Sequence, residues 1–287
     1  MAPPAPLLDV PHLQRELAGD RPPVVLDVRW SLGGPDGAAE HARGHLPGAV
    51  FVDLDTQLSR PRRPGEGRHP LPDPAALQEV LRAAGVHRGT PVVVHDAATS
   101  TSAARAWWVL RWAGLVDVRV LDGGLAAWTA HGGPLTTDVP RPAPGDVVVR
   151  PGALPVLDAA ALPALARTGV LLDARAPERY SGRSEPVDPV AGHVPGARNL
   201  PTTGHVTAAG TFAAPAELRA RFAAAGVGPG VEVGVYCGSG VTAAHTLLAL
   251  EVAGLSGTLY PGSWSEWVTD PTRPVATGPG PDGDPAV

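Results

Sequence analysis

The chain has 287 residues, of which 44% are hydrophobic, and a formal net charge of -5. This length exceeds the usual size of one domain, so two domains are expected. Acidic and basic residues are mixed without a basic stripe, the apolar runs are too short to span a bilayer, and residues 1–6 lack the features of a signal peptide. We therefore expect a soluble cytoplasmic protein with no nucleic-acid or membrane partner.

Short apolar runs alternate with helix-like segments along the chain. Strands are predicted at 24–28, 92–95 and 118–121 in the first half, and at 170–174, 231–236 and 258–260 in the second. Helices are predicted at 74–84 and 103–113, then at 215–225 and 241–253, and each stops before a glycine. This alternation predicts an α/β fold, with mainly parallel sheets that carry helices on both faces.

The two halves of the sequence repeat each other. Gly-His-Leu-Pro-Gly-Ala at 44–49 recurs as Gly-His-Val-Pro-Gly-Ala at 192–197, and further matches keep the same order at a spacing of roughly 140–150 residues. Two homologous domains are predicted, at 7–137 and 156–275. The Pro- and Gly-rich segment 138–155 is predicted to be a stiff linker, and residues 276–287 to be a disordered tail.

Cys237 is the only cysteine, so an internal disulfide and a thiolate metal site are excluded, and no metal or cofactor is expected. It lies where a predicted strand ends and a helix begins, in the sequence Cys-Gly-Ser-Gly-Val-Thr. Gly238 and Gly240 permit a tight loop whose amides turn inward, and Ser239 and Thr242 add hydroxyl donors. Gly238, Gly240 and Val241 are therefore candidate substrate-binding residues. Such a loop at a helix N-terminus favours a thiolate and then an anionic persulfide.

Asp96 occupies the equivalent position in the first half of the chain. A carboxylate cannot carry a persulfide. The first domain is therefore predicted to be catalytically inactive and to form one wall of an interdomain cleft.

Together, these features resemble a known family. The paired repeats, the loop at 237–242, the sequence Asp-Gly-Gly at 122–124 with Trp128, and Ser-Trp-Ser-Glu-Trp at 263–267 resemble tandem-domain rhodaneses, in particular 3-mercaptopyruvate sulfurtransferases. The resemblance implies two rhodanese-like domains, an active site in the second one, and sulfur transfer through a persulfide on Cys237.

The resemblance also bears on the sulfur donor. Thiosulfate enzymes of the family tend to carry two cations after the cysteine, whereas Gly238 and Ser239 resemble the 3-mercaptopyruvate type. Arg179 matches one arginine that binds the substrate carboxylate. A second is expected shortly after Glu-Pro, where this chain has Val187 and Asp188, so Arg183 is the candidate substitute and thiosulfate remains open.

Further candidates follow from the same resemblance. Trp30 matches an aromatic residue of the cleft, and His45 is a candidate for proton handling with the loop serine. His193 shares the motif of His45 in the other domain, so a structural role for both histidines is the alternative. His245 is expected on a solvated face of the helix that follows the loop.

The loop sequence also bears on other cysteine-dependent activities. A cysteine phosphatase or arsenate reductase needs an arginine at the sixth place after the cysteine, where this chain has Ala243. A non-catalytic binding module remains an alternative because a fold does not guarantee activity. With a single cysteine, sulfur must be transferred to an external acceptor such as cyanide, a small thiol or thioredoxin. The protein is expected to be a monomer.

Overall fold

The structure is a computed structural model and describes residues 4–283. Within these residues the chain divides into two compact units. The first contains residues 4–60, 71–154 and 206–212, and the second contains 61–70, 155–205 and 213–283. Each unit thus includes a short segment from the other half of the sequence, which the predicted boundaries did not anticipate.

The first unit is built on a parallel sheet. Its strands are β1 (Leu7–Leu8), β2 (Val24–Asp27), β3 (Val50–Phe51), β4 (Val92–His95) and β5 (Val118–Leu121), arranged in the order β1-β5-β4-β2-β3. All their pairings are parallel. Its helices are α1 (Val10–Leu17), α2 (Gly37–Arg43), α3 (Pro74–Ala83), α4 (Thr101–Trp112) and α5 (Gly124–Ala130).

The second unit repeats this plan. Its strands are β6 (Val170–Asp173), β7 (Arg198–Asn199), β8 (Val233–Tyr236) and β9 (Thr258–Leu259), in the order β7-β6-β8-β9 with parallel pairings. Its helices are α6 (Leu162–Thr168), α7 (Pro177–Tyr180), α8 (Pro215–Ala224), α9 (Val241–Val252) and α10 (Ser263–Trp267), with a 3₁₀ turn at Thr202–His205. The predicted fold class is confirmed in both units.

Helices cover both faces of the second sheet. A Cβ at Gly234 would lie 2.4 Å from Leu165 of α6, so residue 234 of β8 faces that helix. Side chains alternate along a strand, and Val233 and Val235 therefore point to the other face, against which α9 packs. The core on the α6 side is apolar and aromatic, and its most buried members are Leu162, Leu171, Ala197, Tyr236 and Trp264.

The helices begin in two different ways. Asp9, Asp36 and Asp73 cap α1, α2 and α3 by accepting hydrogen bonds from first-turn amides. The long helices α4 and α9 instead follow a residue in the left-handed conformation and have no side-chain cap. Their first N–H groups are thus available to another acceptor. Among residues 4–283, no helix is both long and apolar enough to cross a membrane.

The segments outside the repeats have fixed partners. The predicted linker has no helix or strand, but the amides of Gly145 and Arg150 donate to carbonyls of the first unit. In the predicted tail, the amide of Gly278 donates to the carbonyl of Ser181, and Ala276 bridges to His193. The expectation of disorder therefore does not hold for 276–283. Residues 284–287 lie outside the described residues.

Candidate active site

Cys237 lies in the loop between β8 and α9, at the carboxyl edge of the second sheet. Its side chain is 1% exposed. The loop turns into the helix at Gly240, whose φ of 82° is a conformation that glycine adopts without steric cost. In this turn the backbone N–H groups that follow the cysteine point back towards its sulfur.

The sulfur of Cys237 accepts hydrogen bonds from this loop. The amide nitrogen of Gly240 lies 3.1 Å from Sγ and that of Ser239 lies 3.5 Å from it. The N-terminus of α9 adds a partial positive charge at the same place. The sequence predicts a stabilised thiolate at this position, and these N–H groups are the donors that would stabilise it.

Residues at the start of α10 form hydrogen bonds with the backbone of the cysteine loop. The amides of Trp264 and Ser265 donate to the carbonyls of Cys237 and Gly238, at 2.9 and 3.0 Å. The hydroxyl of Ser263 accepts a hydrogen bond from the amide of Cys237 at 3.1 Å and donates to the carbonyl of Tyr260 at 2.9 Å. Ser263 has a φ of 54°, which is uncommon for a residue with a side chain. The strained backbone thus lies where it fixes the cysteine.

His69 is the partner of the loop serine. Its Nδ1 lies 2.7 Å from Oγ of Ser239, and the histidine is 7% exposed. His69 belongs to segment 61–70, which joins the second unit. This segment approaches very closely, since a Cβ at Gly67 would lie 2.3 Å from the carbonyl oxygen of Gly262. His69 is not predicted from the sequence, because no helical or alternating pattern surrounds it.

Two arginines approach the loop at Gly238. A Cβ at that position would lie 2.8 Å from Nη2 of Arg68 and 3.4 Å from Nη1 of Arg179. Both guanidinium groups pair with the carboxylate of Asp188, Arg179 through an Nη2 to Oδ2 distance of 3.0 Å. Arg179, on α7, also holds Glu185 at 2.7 Å. The sequence predicted Arg179 but missed Arg68 and gave Asp188 no role.

The two carboxylates respond differently to this setting. Burial raises the pKa of Glu185, but hydrogen bonds from Arg179 and from the amides of Asp188 and Val187 outweigh burial, so its pKa lies below the usual range. Burial also acts on Asp188, and here it outweighs the attraction of Arg68, so its pKa is raised. Glu185 is thus the fixed anion beside Arg179.

The other predicted residues of the second unit lie in different surroundings. Val241 and Thr242 form the first turn of α9, and among residues 4–283 the Thr242 hydroxyl makes no hydrogen bond. Arg183 is exposed and bonds to Ser181 and Glu178. These partners do not bring Arg183 to the cysteine loop as the substitute cation. His245, expected in solvent, is buried and lies 2.6 Å from the hydroxyl of Thr202.

His45 and His193 share one structural role. The ring nitrogens of His45 contact the carbonyl oxygens of His41 and Asp138, at 2.8 and 3.1 Å. Those of His193 contact the carbonyls of Tyr180 and Pro281 at the same distances. Each ring also stacks on an aromatic ring, His41 and Tyr180 respectively. With both nitrogens engaged by backbone, His45 is not the partner of the loop serine.

Trp30 is the remaining candidate from the sequence. It belongs to the first unit, where its indole Nε1 donates to Oδ2 of Asp55 at 2.9 Å. Within residues 4–283 no group of three or more His, Cys, Asp or Glu side chains is arranged to hold a metal ion.

The first unit contains a similar loop, one residue longer before the left-handed turn, with a carboxylate in place of the thiol. Oδ1 of Asp96 accepts from the amides of Ala98 and Ser100, at 3.1 and 3.0 Å. Oδ2 accepts from the amides of Ser102 and Ala103 and from the Ser102 hydroxyl. Burial raises the pKa of Asp96, and the amides of Ala103 and Ser100 oppose that rise. The anion-binding loop is thus retained and filled by a built-in carboxylate.

Comparison with known proteins agrees with this architecture. The family model described as a rhodanese-like domain matches residues 10–131 and 158–270. A protein of Mycobacterium tuberculosis named "Putative thiosulfate sulfurtransferase SseB" is 50% identical over 264 residues, 91% of this chain and 93% of that protein. A Pseudomonas aeruginosa protein named "Probable 3-mercaptopyruvate sulfurtransferase" is 50% identical over 262 residues, 89% of this chain and 92% of that one.

Solved structures show the same similarity. The crystal structure of SseA from Escherichia coli superposes with a TM-score of 0.81 at 31% identity, covering 91% of this chain and 99% of that one. The chain belongs to the rhodanese-like family. It is an enzyme, a sulfurtransferase of the group that contains the 3-mercaptopyruvate and thiosulfate enzymes.

Proposed function

We propose that the protein transfers the sulfur of 3-mercaptopyruvate to a thiol or cyanide acceptor through a persulfide on Cys237. The observation that carries the proposal is the cysteine sulfur facing the Gly240 amide at 3.1 Å, with the guanidinium groups of Arg68 and Arg179 beside Gly238. A stabilised nucleophile thus lies next to groups that bind a carboxylate.

In the first half-reaction the Cys237 thiolate attacks the sulfur of the donor. A sulfur–sulfur bond forms, the carbon–sulfur bond breaks, and its electron pair remains on carbon as the enolate of pyruvate. The proton of the donor's thiol is transferred to that carbon, which leaves a persulfide anion and pyruvate. The hydroxyl of Ser239 and the ring of His69, 2.7 Å apart, provide a route for this proton.

The outer sulfur of the persulfide has a counterpart in the first unit. Oδ2 of Asp96 binds the amide and hydroxyl of Ser102 and the amide of Ala103. Counted from the left-handed residue at the start of each helix, Ser102 corresponds to Thr242 and Ala103 to Ala243. We therefore assign the amide and hydroxyl of Thr242 to the outer sulfur, together with the loop amides.

In the second half-reaction an external nucleophile removes the outer sulfur. Cyanide would leave as thiocyanate and regenerate the Cys237 thiolate, and a small thiol or reduced thioredoxin would take the sulfur in the same way. The chain has one cysteine, so no internal thiol can resolve the persulfide. The catalytically inactive first domain, the monomeric state and the cytoplasmic location stay predictions from the sequence.

Thiosulfate is the second candidate donor, because relatives of equal identity carry the two different donor names. Attack on its outer sulfur would release sulfite and give the same persulfide. This reaction requires no proton transfer, which separates it from the reaction with 3-mercaptopyruvate.

The test measures sulfur transfer to cyanide from each donor in parallel, with the wild-type protein and Cys237→Ser. A mass increase of one sulfur atom on the wild-type protein after donor treatment, absent in the variant, would identify the persulfide. A larger kcat/KM for 3-mercaptopyruvate supports the proposal. A larger value for thiosulfate would instead identify thiosulfate as the preferred donor. Absence of a persulfide with both donors would overturn the mechanism and favour a binding module.

A further inference from the structure

Arg68 is held over the cysteine loop by contacts of its own. Its amide donates to the hydroxyl of Ser265 at 3.0 Å, which fixes the backbone, and its guanidinium pairs with Asp188. The Arg68 side chain is 20% exposed and that of Asp188 only 4%. In the part of the chain that the structure describes, the buried Nε of Arg68 has no hydrogen-bond partner. Nη2 of the same guanidinium group is the atom that approaches Gly238 of the cysteine loop.

The space next to the arginine can hold a ligand. A cavity of about 540 Å³ opens here, and its lining includes Arg68, His69, Asp188, Ser265 and Val268. Because Gly238 has no side chain, the guanidinium lies directly beside the loop, where a Cβ on residue 238 would be only 2.8 Å from Nη2. A ligand in this cavity would contact Arg68, whose guanidinium group also approaches Gly238 of the cysteine loop.

We propose that Arg68 is the second donor-binding cation of this enzyme, and that Asp188, which joins Arg68 to Arg179, makes the site select a singly charged donor over a doubly charged one. The inference rests on the proposed function and names the residues that set its donor preference. It differs from the expectation drawn from the sequence, which placed the second cation on the loop after Glu185.

The charge balance around the loop supports selection by donor charge. Three guanidinium groups and three carboxylates form one connected set of ion pairs: Arg68, Arg175, Arg179, Asp173, Glu185 and Asp188. The formal charges of this set cancel. A monocarboxylate therefore meets two oriented N–H donors without a large excess of positive charge. A dianion such as thiosulfate would be bound more strongly by a positively charged site than by this neutral one.

Asp188 is the residue through which this balance can be changed. It is the shared partner of Arg68 and Arg179. Removing its charge therefore leaves less negative charge to balance the two guanidinium groups beside Gly238. Replacement by asparagine keeps the shape of the side chain. The set then carries one net positive charge, which favours a dianion more than a monoanion.

The first measurement compares KM and kcat for 3-mercaptopyruvate in four arginine variants. Arg68→Gln and Arg179→Gln are expected to raise KM on the order of 10-fold, with a smaller effect on kcat, because each removes a donor to the carboxylate. Arg68→Lys, which keeps the charge, should recover part of the loss. Arg167→Gln removes the same charge from the exposed end of α6 and is expected to match the wild type.

The second measurement is the ratio of kcat/KM for thiosulfate to that for 3-mercaptopyruvate. Asp188→Asn is expected to raise this ratio on the order of 10-fold, because the net charge next to the donor becomes more positive by one unit. Asp270→Asn, at an exposed turn of the same unit, removes an equal charge and should leave the ratio unchanged.

Three outcomes would overturn the inference. These are an Arg68→Gln variant that behaves like Arg167→Gln, an increase in KM on Arg183→Gln in place of Arg68→Gln, and an unchanged donor ratio in Asp188→Asn. Each is read only with a wild-type protein that forms the Cys237 persulfide. A wild type that forms none contradicts the proposed function itself, so the two failures are distinguishable. Unchanged circular dichroism and thermal melting of Arg68→Lys and Asp188→Asn establish that the variants fold.

Discussion

Oγ of Ser239 lies 2.7 Å from Nδ1 of His69, although 170 residues separate them in the sequence. The pair adjoins the sulfur of Cys237, which accepts the amide hydrogen bond of Ser239. The pair thus lies beside the reacting sulfur, as the proposed proton transfer requires.

Variants of this pair should distinguish the two donors. Ser239→Ala and His69→Gln are expected to lower kcat with 3-mercaptopyruvate roughly 100-fold, because the pyruvate enolate must be protonated as it leaves. With thiosulfate no proton is transferred, and we expect a loss of less than about threefold, within the range of a small change in loop position. Steady-state transfer to cyanide measures both, with the exposed His87→Gln as the control. Equal losses with the two donors would show that the pair only positions the loop.

The local part of this site could be predicted from the sequence. Cys237, Ser239 and Gly240 are neighbours in the chain, and a strand followed by a glycine-rich turn and a helix determines the geometry of the loop. The strands at 92–95 and 118–121 and the helices at 215–224 and 241–252 were predicted within two residues of their ends for the same reason, since hydrophobic periodicity is a local signal.

The distant part could not be predicted in this way. Arg68 and His69 lie in a segment with no helix or strand and no counterpart in the second repeat, so neither periodicity nor self-comparison indicates them. The repeat instead drew attention to His45, whose shared motif marks a structural hydrogen bond. A basic pair flanked by glycine and proline, and absent from the other repeat, was the one signal in the sequence.

A second prediction concerns the strained residue behind the cysteine. Ser263→Ala should destabilise the second unit by about 1–3 kcal/mol, because the buried amide of Cys237 loses its acceptor and φ remains positive. Ser263→Gly loses the same hydrogen bond but relieves the backbone, and should be more stable than the alanine variant by about 1 kcal/mol. Hydrogen exchange of the amides in β8 measures both changes. Ser256→Ala, at an exposed position, serves as the control, and equal values for the alanine and glycine variants would contradict a strained Ser263.

A third prediction concerns the carboxylate that fills the loop of the first unit. Asp96→Ala leaves the amides of Ser100, Ser102 and Ala103 without their acceptor, and should destabilise that unit by about 2–4 kcal/mol. Asp96→Asn should cost less, since its carbonyl oxygen still accepts from part of this set. The readout is hydrogen exchange of β4. Asp36→Ala, which removes an exposed helix cap, gives the reference loss of about 1 kcal/mol, and a loss no greater than this in Asp96→Ala would argue against the anion-binding role.

The last prediction concerns the pH dependence of stability in the second unit. His205 is fully buried, its Nε2 lies 3.3 Å from the hydroxyl of Thr246, and its Nδ1 has no partner among residues 4–283. Burial lowers the pKa of His205 to about 3, and the neighbouring His245 and Arg221 act in the same direction. The unfolded chain binds a proton near pH 6.5 whereas the folded one does not, so stability falls as the pH drops from about 6.5 towards 3.

Between pH 7.5 and pH 5 this difference amounts to a loss of about 2 kcal/mol from His205 alone. His205→Gln carries no titrating group at this position, so its stability should fall by about 2 kcal/mol less over the same interval, even if the variant is less stable at pH 7.5. Hydrogen exchange of the α9 amides at the two pH values gives the comparison. The exposed His131→Gln should retain the wild-type pH dependence. If His205→Gln lost as much stability on acidification as the wild type, the buried neutral histidine would not be the acid-sensitive group of this unit.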